Sequence, residues 1–137
     1  MKTTKKTAKK AKPEFDFRTI KFFEDACKKE NIDSTKLPDV SMIPEVYGRD
    51  LIARYKLEII YLAINNGWIA RGGDVTQAKW YVYHWVLPSG SGFGFSCSYY
   101  DCAGTYASAG LRLCTFNKEQ SDYIKDQFTD LWKDTLL

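Results

Sequence analysis

The hydrophobic period of this 137-residue chain changes twice. Up to about residue 66 the apolar positions recur at helical spacing, over residues 79–116 they alternate, and from residue 117 the helical spacing returns. Helices and strands project side chains with incompatible periods, so such a chain segregates its helices from an antiparallel sheet rather than alternating βαβ units. We therefore expect an α+β domain with element order α-α-β-β-β-α. Short connections between the strands favour a three-stranded antiparallel β-meander.

The helical stretches carry their own punctuation. Residues 16–30 read as a helix capped by Asp16, with Ile20, Phe23 and Cys27 on one stripe and Phe22 widening it. Pro38 and Pro44 mark residues 31–44 as a loop. A second helix is expected over residues 49–66, with Leu51, Tyr55, Ile59 and Leu62 on its inner face and Ile52, Ile60 and Ala63 beside it. Asn65-Asn66-Gly67 stops it, because Asn and Gly tolerate a left-handed cap, and Trp68 and Ile69 fold back on its end. The last helix begins at Asn117, with Gln120 as capping-box partner and Ile124, Phe128, Leu131, Trp132 and Thr135 as its core stripe.

Residues 79–87 form the clearest strand, rich in aromatic and β-branched side chains, and residues 93–99 and 107–116 supply two more. In the second strand Phe93, Phe95 and Cys97 are expected to face the core, opposite Gly94, Ser96 and Ser98. The third places Ala109, Leu111 and Leu113 inward. The first strand is apolar on both faces. Valines pack against helices better than tyrosines, so Val82 and Val86 go inward, leaving Tyr81, Tyr83 and Trp85 outward beside a shallow Gly/Ser floor with Arg112 across it. Such a face suits a flat or extended partner. Were a segment such as 31–47 laid over it, the same face would be a second core layer; the exposure of Tyr83 separates the two.

Charge is as segregated as structure. The chain carries a net +3, yet Lys2, Lys5, Lys6, Lys9, Lys10 and Lys12 put six positive charges and no acid into the first twelve residues, leaving a body of net −3. Without large apolar residues after Met1, residues 1–13 cannot offset the entropy of ordering and are expected to be a disordered arm. Residues 14–137 then form one domain. The arm suits a polyanion such as nucleic acid, or an acidic protein surface, and equally a purely solubilising role. No apolar run is long enough for a membrane span and no signal-peptide core follows the lysines, so a soluble intracellular chain is expected.

Catalytic and metal chemistry find little purchase. Cys27, Cys97, Cys102 and Cys114 lack the close pairs of a zinc site, and Cys97 and Cys114 fall on opposite faces. No disulfide framework is indicated. The single His84 could join Cys102 and Asp101 in a nucleophilic trio, but no motif brings them together, and a core histidine is the simpler reading. The turn Arg71-Gly72-Gly73-Asp74 lacks the context of a phosphate-binding loop. We expect no catalytic residues, no metal and no cofactor.

The stretch Gly92-Phe93-Gly94-Phe95-Ser96, with Tyr100-Asp101-Cys102, Gly110-Leu111-Arg112-Leu113-Cys114, Tyr55-Lys56-Leu57, Asn66-Gly67-Trp68 and the terminal Gln127 to Asp134, resembles small proteins of Bacteroides-type gut bacteria and their phages, including crAss-like phages. The resemblance covers roughly residues 50–137. It implies a phage or mobile-element origin and thus a virion component, a nucleic-acid-associated accessory protein or an inhibitor of a host defence.

The expected function is a non-enzymatic phage-encoded binding or structural module, a capsid-associated protein in particular, located in the host cytoplasm or the virion. Its partner would be a capsid or host protein, met through Tyr81, Tyr83, Trp85 and Arg112. A nonspecific single-stranded nucleic-acid binder is the alternative, with the arm on phosphates and the rings stacking on bases. An uncovered sheet edge would also permit self-association.

Overall fold

A computed structural model describes residues 14–88, 92–101 and 111–137. The six lysines of segment 1–13, Cys102 and residues 107–110 of the expected third strand lie outside them. The elements are a 3₁₀ turn at Phe17–Thr19, α1 (Phe23–Glu30), α2 (Glu45–Asn65), β1 (Lys79–Val86), β2 (Phe93–Asp101), a second 3₁₀ turn at Leu111–Leu113, α3 (Lys118–Gln127) and α4 (Thr129–Leu136). The α+β class and the order of helices, strands and closing helix are as expected.

The first helix is shorter than its periodicity suggests. Asp16 caps only the 3₁₀ turn, accepting from the Arg18 N–H at 3.0 Å. The chain then extends, and the Asp25 carboxylate accepts the Lys21 and Phe22 N–H groups at 3.0 and 2.9 Å to start α1 afresh. This break buries Ile20 but turns Phe22 to solvent, so Phe22 does not widen the core stripe. Side chains of α3 satisfy the irregular backbone: the Tyr123 hydroxyl donates to the Ile20 carbonyl at 2.6 Å and Gln127 Nε2 to that of Lys21 at 2.9 Å.

Helix α2 begins a turn before the expected residue 49. The Pro44 carbonyl accepts from Tyr47 and Gly48 N–H at 2.9 and 3.0 Å, and a proline ahead of a first turn sacrifices no donor. A Cβ at Gly48 would stand 3.1 Å from the Val40 side chain, so the loop can lie close there only against glycine. The end is as read: Asn66 (φ 47°) and Gly67 (φ 92°) are left-handed. Its inner face is not. Ala53, Leu57, Ile60, Tyr61, Ala63 and Ile64 are buried, while Leu51 and Leu62 are exposed and Tyr55 and Ile59 only border the core. Being apolar on most sides, α2 offers no periodicity that picks one stripe.

Asn117 Oδ1 caps α3 by accepting from the Gln120 N–H at 2.9 Å. Gln120 does not reciprocate; its Nε2 donates to the Ile64 carbonyl at 3.1 Å, near the C-terminal end of α2. The closing helix breaks at Phe128, where the Thr129 hydroxyl donates to the carbonyls of Lys125 and Asp126. Ile124, Phe128 and Trp132 complete a core shared with Ile20, Phe23, Cys27, Leu57, Ile60, Tyr61 and Ile64.

Strands β1 and β2 form an antiparallel ribbon. The third antiparallel segment reaches it at Thr115, which exchanges backbone hydrogen bonds with Trp80 at 3.1 and 2.8 Å, beside β1. Just before it, Leu111–Leu113 winds into the 3₁₀ turn and buries Leu113, so extended pairing is confined among the described residues of this segment to Thr115.

Candidate interaction face

The register of the ribbon decides which rings meet solvent. Tyr81 lies opposite Tyr99, Tyr83 opposite Cys97 and Trp85 opposite Phe95, so these positions share one face. Val82, His84 and Val86 lie opposite Ser98, Ser96 and Phe93 on the other. Between Trp85 and Val86 the register slips by one residue, which leaves Gly94 as the bulged position. A Cβ there would come within 2.9 Å of Leu87 Cδ2. The bulge keeps Phe93 inward but inverts everything after it. Cys97 therefore stands on the outward register, and Ser96 and Ser98 turn inward, contrary to strict alternation, while the Phe95 side chain lies outside what the structure describes.

The inward serines have partners, which explains why the core accepts them. Ser96 Oγ lies 2.6 Å from His84 Nδ1, and Ser98 Oγ donates to the buried Ser121 Oγ at 2.9 Å. His84 is stacked on Phe93 at 4.2 Å and tilted against Trp132 at 5.1 Å. Burial, helped by nearby Lys125, lowers its pKa to about 4, so the imidazole is neutral at physiological pH. Beside this seam Asp122 accepts from Lys118 at 2.6 Å and faces Lys125 at 3.6 Å; these cations and Ser98 hold its carboxyl below the usual range against the opposing pull of burial.

Outward, Tyr83 is 47% exposed, Trp85 58% and Tyr99 58%. Among the described residues no loop covers Tyr83 as a second core layer would. Tyr81 is half-buried and edge-on to Tyr99 at 6.1 Å, and Tyr100 stacks on Tyr99 at the same distance. Val86 and Leu87 are also exposed, so Val86 does not pack inward as expected; the ribbon projects past the helices there. Tyr99 and Tyr100 were missed by the sequence reading; an inverted phase after Gly94 is the signal that would have added Tyr99 to the face.

Arg112 does not cross this face. It reaches Glu58 of α2 at 3.5 Å and borders a groove formed by Ile59, Leu62, Trp68 and Ile69, where the chain folds back on the helix as expected. The 3₁₀ turn carries it there by packing Leu113 inward. The ribbon itself is almost free of charge. Lys79, the basic residue of β1, is 4% exposed and spends its ammonium on the carbonyls of Asp74 and Gln77 at 2.9 and 3.0 Å.

Ser96 and His84 make a hydroxyl–imidazole pair, but His84 Nε2 has no hydrogen-bond partner among the described residues, so no carboxylate orients the ring. Cys27 and Cys114 are buried, and burial raises both thiols, Cys114 to about 11, which disfavours thiolate. No cluster of three or more potential metal ligands occurs among the described residues, and no described helix is long and apolar enough to cross a membrane. Comparison of the chain with known protein families, curated proteins and solved structures finds no match.

Proposed function

We propose that this protein is a non-enzymatic binding module that meets a protein partner through the outer face of its β-ribbon. The observation that carries the reading is the exposure of Tyr83, Trp85 and Tyr99 on one face of the ribbon. Rings of this kind bury much area at little entropic cost and anchor protein interfaces. With the phage origin that the resemblance implies, the partner is a virion protein or a host factor that a phage would occupy. Arg112 drops out of this face, and the lysine arm serves as an accessory contact to an acidic surface.

The same rings could stack on nucleobases, but single-stranded nucleic-acid binders line the stacking groove with cations. Here the ribbon's Lys79 is buried and bound to carbonyls, which favours protein. The test is cosedimentation with purified virions of the encoding phage. Wild type is expected to travel with them and a Tyr83→Ser/Trp85→Ser/Tyr99→Ser variant to stay in solution. Binding to DNA or RNA at low salt that vanishes on deleting residues 2–12, with no virion association, would transfer the function to the nucleic-acid reading.

A further inference from the structure

The two edges of the ribbon differ. Trp80 of β1 exchanges backbone hydrogen bonds with Thr115 at 3.1 and 2.8 Å, so its N–H and C=O point away from β2. Trp80 lies opposite Tyr100, which makes the two a non-hydrogen-bonded pair of the β1–β2 ladder. Alternation along the ladder then fixes the rest: Ser96, Ser98 and Tyr100 turn their N–H and C=O groups to the open side of β2. Among the described residues no backbone group bonds to them there. This edge also lacks the usual deterrents to pairing. Residues 93–100 contain no proline and no charged side chain, and the bulge at Gly94 precedes the regular stretch rather than interrupting it.

An open edge accepts an added strand, and the side chains of β2 complement those of β2 itself. A two-fold axis at Ser98 lays the strand of a second copy antiparallel beside it, with Ser98 facing Ser98, Ser96 facing Tyr100 and Cys97 facing Tyr99. In that register the three outward residues of each copy all exchange hydrogen bonds, and each tyrosine meets a small residue. Moving the axis to Cys97 sets Tyr100 against the bulge at Gly94, and moving it to Tyr99 carries Ser96 past the end of the strand. Helix α3 packs beneath both β1 and β2. Two joined copies therefore hold their α3 helices two strand spacings apart, about 10 Å, an ordinary distance between packed helices. We propose that the chain forms a two-fold homodimer through the edge of β2, giving one continuous sheet in the order β1–β2–β2–β1. The pairing uses backbone groups of the edge, so it stands without the contact proposed above for the outer face.

Sedimentation equilibrium of the full chain over a concentration series, with no other protein present, is expected to show monomer and dimer in exchange. Tyr100→Pro removes an N–H that faces the open edge and takes no part in the β1 ladder, so the ribbon keeps its own hydrogen bonds. It is expected to raise the dimer dissociation constant at least about tenfold. A cross-link reads the same contact without altering the backbone. Directly opposed non-hydrogen-bonded residues have Cα atoms about 4.5 Å apart, within disulfide range, so Tyr99→Cys places a thiol against Cys97 of the second copy. With oxidised glutathione as the electron acceptor, that protein is expected to run as a covalent dimer on a non-reducing gel, and adding Cys97→Ser to abolish the band. A chain that is monomeric at every concentration overturns the proposal. So does a dimer that Tyr100→Pro leaves equally tight, or a Tyr99→Cys protein that fails to cross-link or cross-links equally well once Cys97 is replaced.

Discussion

The helical part and the ribbon spend their aromatic and apolar residues in opposite ways. Helices α1 to α4 place Leu57, Ile60, Tyr61, Ile64 and Ile124 entirely out of solvent. The ribbon commits Val82, His84 and Phe93 to that core and leaves Tyr83, Trp85 and Tyr99 outside it. Yet the ribbon is the richer in rings. The difference teaches that the two parts answer to different demands: helix-side residues exist to hold the fold, and ribbon rings are surplus to it.

The widest gap between the two should appear on truncation in the helical core. Leu57 is fully buried, and Leu57→Ala removes its contacts and leaves a cavity at the meeting of α2 with α1 and α4. A loss of about 3 kcal/mol is expected by urea denaturation, a large part of the total for a domain of this size. A loss under about 1 kcal/mol would mean that the helices are not the stability-bearing half.

His84 is where the halves join, and it makes the junction sensitive to pH. Its pKa falls to about 4 in the fold, through burial first and Lys125 second, from 6.5 when unfolded. The unfolded chain takes the proton first, so stability is complete above about pH 6.5, declines as pH falls toward 4, and levels off below. The ring is only half-buried, so solvent screening reduces the effect to about 1–2 kcal/mol. His84→Gln should flatten this part of the stability curve, while the carboxylate contribution shared by both proteins cancels in the difference. An unchanged difference between pH 7 and about 4.5 would show that the imidazole is not held neutral.

A smaller effect tests the seam between α3 and the N-terminal turn. Tyr123→Phe keeps the ring against Phe17 and Phe128 but removes the hydroxyl that donates to Ile20. About 1 kcal/mol of destabilisation is expected, with faster amide exchange in residues 17–25 read by hydrogen-exchange NMR.

What was legible in the sequence was what is decided locally. Asn66-Gly67 ends α2 and Asn117 opens α3 because capping needs only neighbouring residues. Ile124, Phe128 and Trp132 were readable because α3 and α4 are apolar on one side alone. The inner face of α2 was not, since nothing in Leu51 or Leu62 distinguishes them from Leu57 until neighbouring helices are placed. The bulge at Gly94 was invisible to strict alternation, and through it Cys97 exchanged faces with Ser96 and Ser98. Arg112 was misplaced for a related reason: a three-residue 3₁₀ turn replaced an extended stretch and swung it toward Glu58.

The smallest stability effect is the one that bears most on function. Trp85 is more than half exposed, and so is Tyr99, while Tyr83 is nearly so. If these rings are surplus to the fold, replacing Tyr83 and Trp85 by serine should move the denaturation midpoint by no more than about 0.5 kcal/mol per site, far less than buried aromatics cost. Serine retains moderate strand compatibility and adds no charge, so a small change reports the rings and not a new repulsion. The expected pattern is near-wild-type stability together with loss of virion association. A loss of 2 kcal/mol or more at either position would show instead that the rings brace the ribbon against the helices. The outer face would then be part of the scaffold, and a partner would have to be sought elsewhere on the molecule.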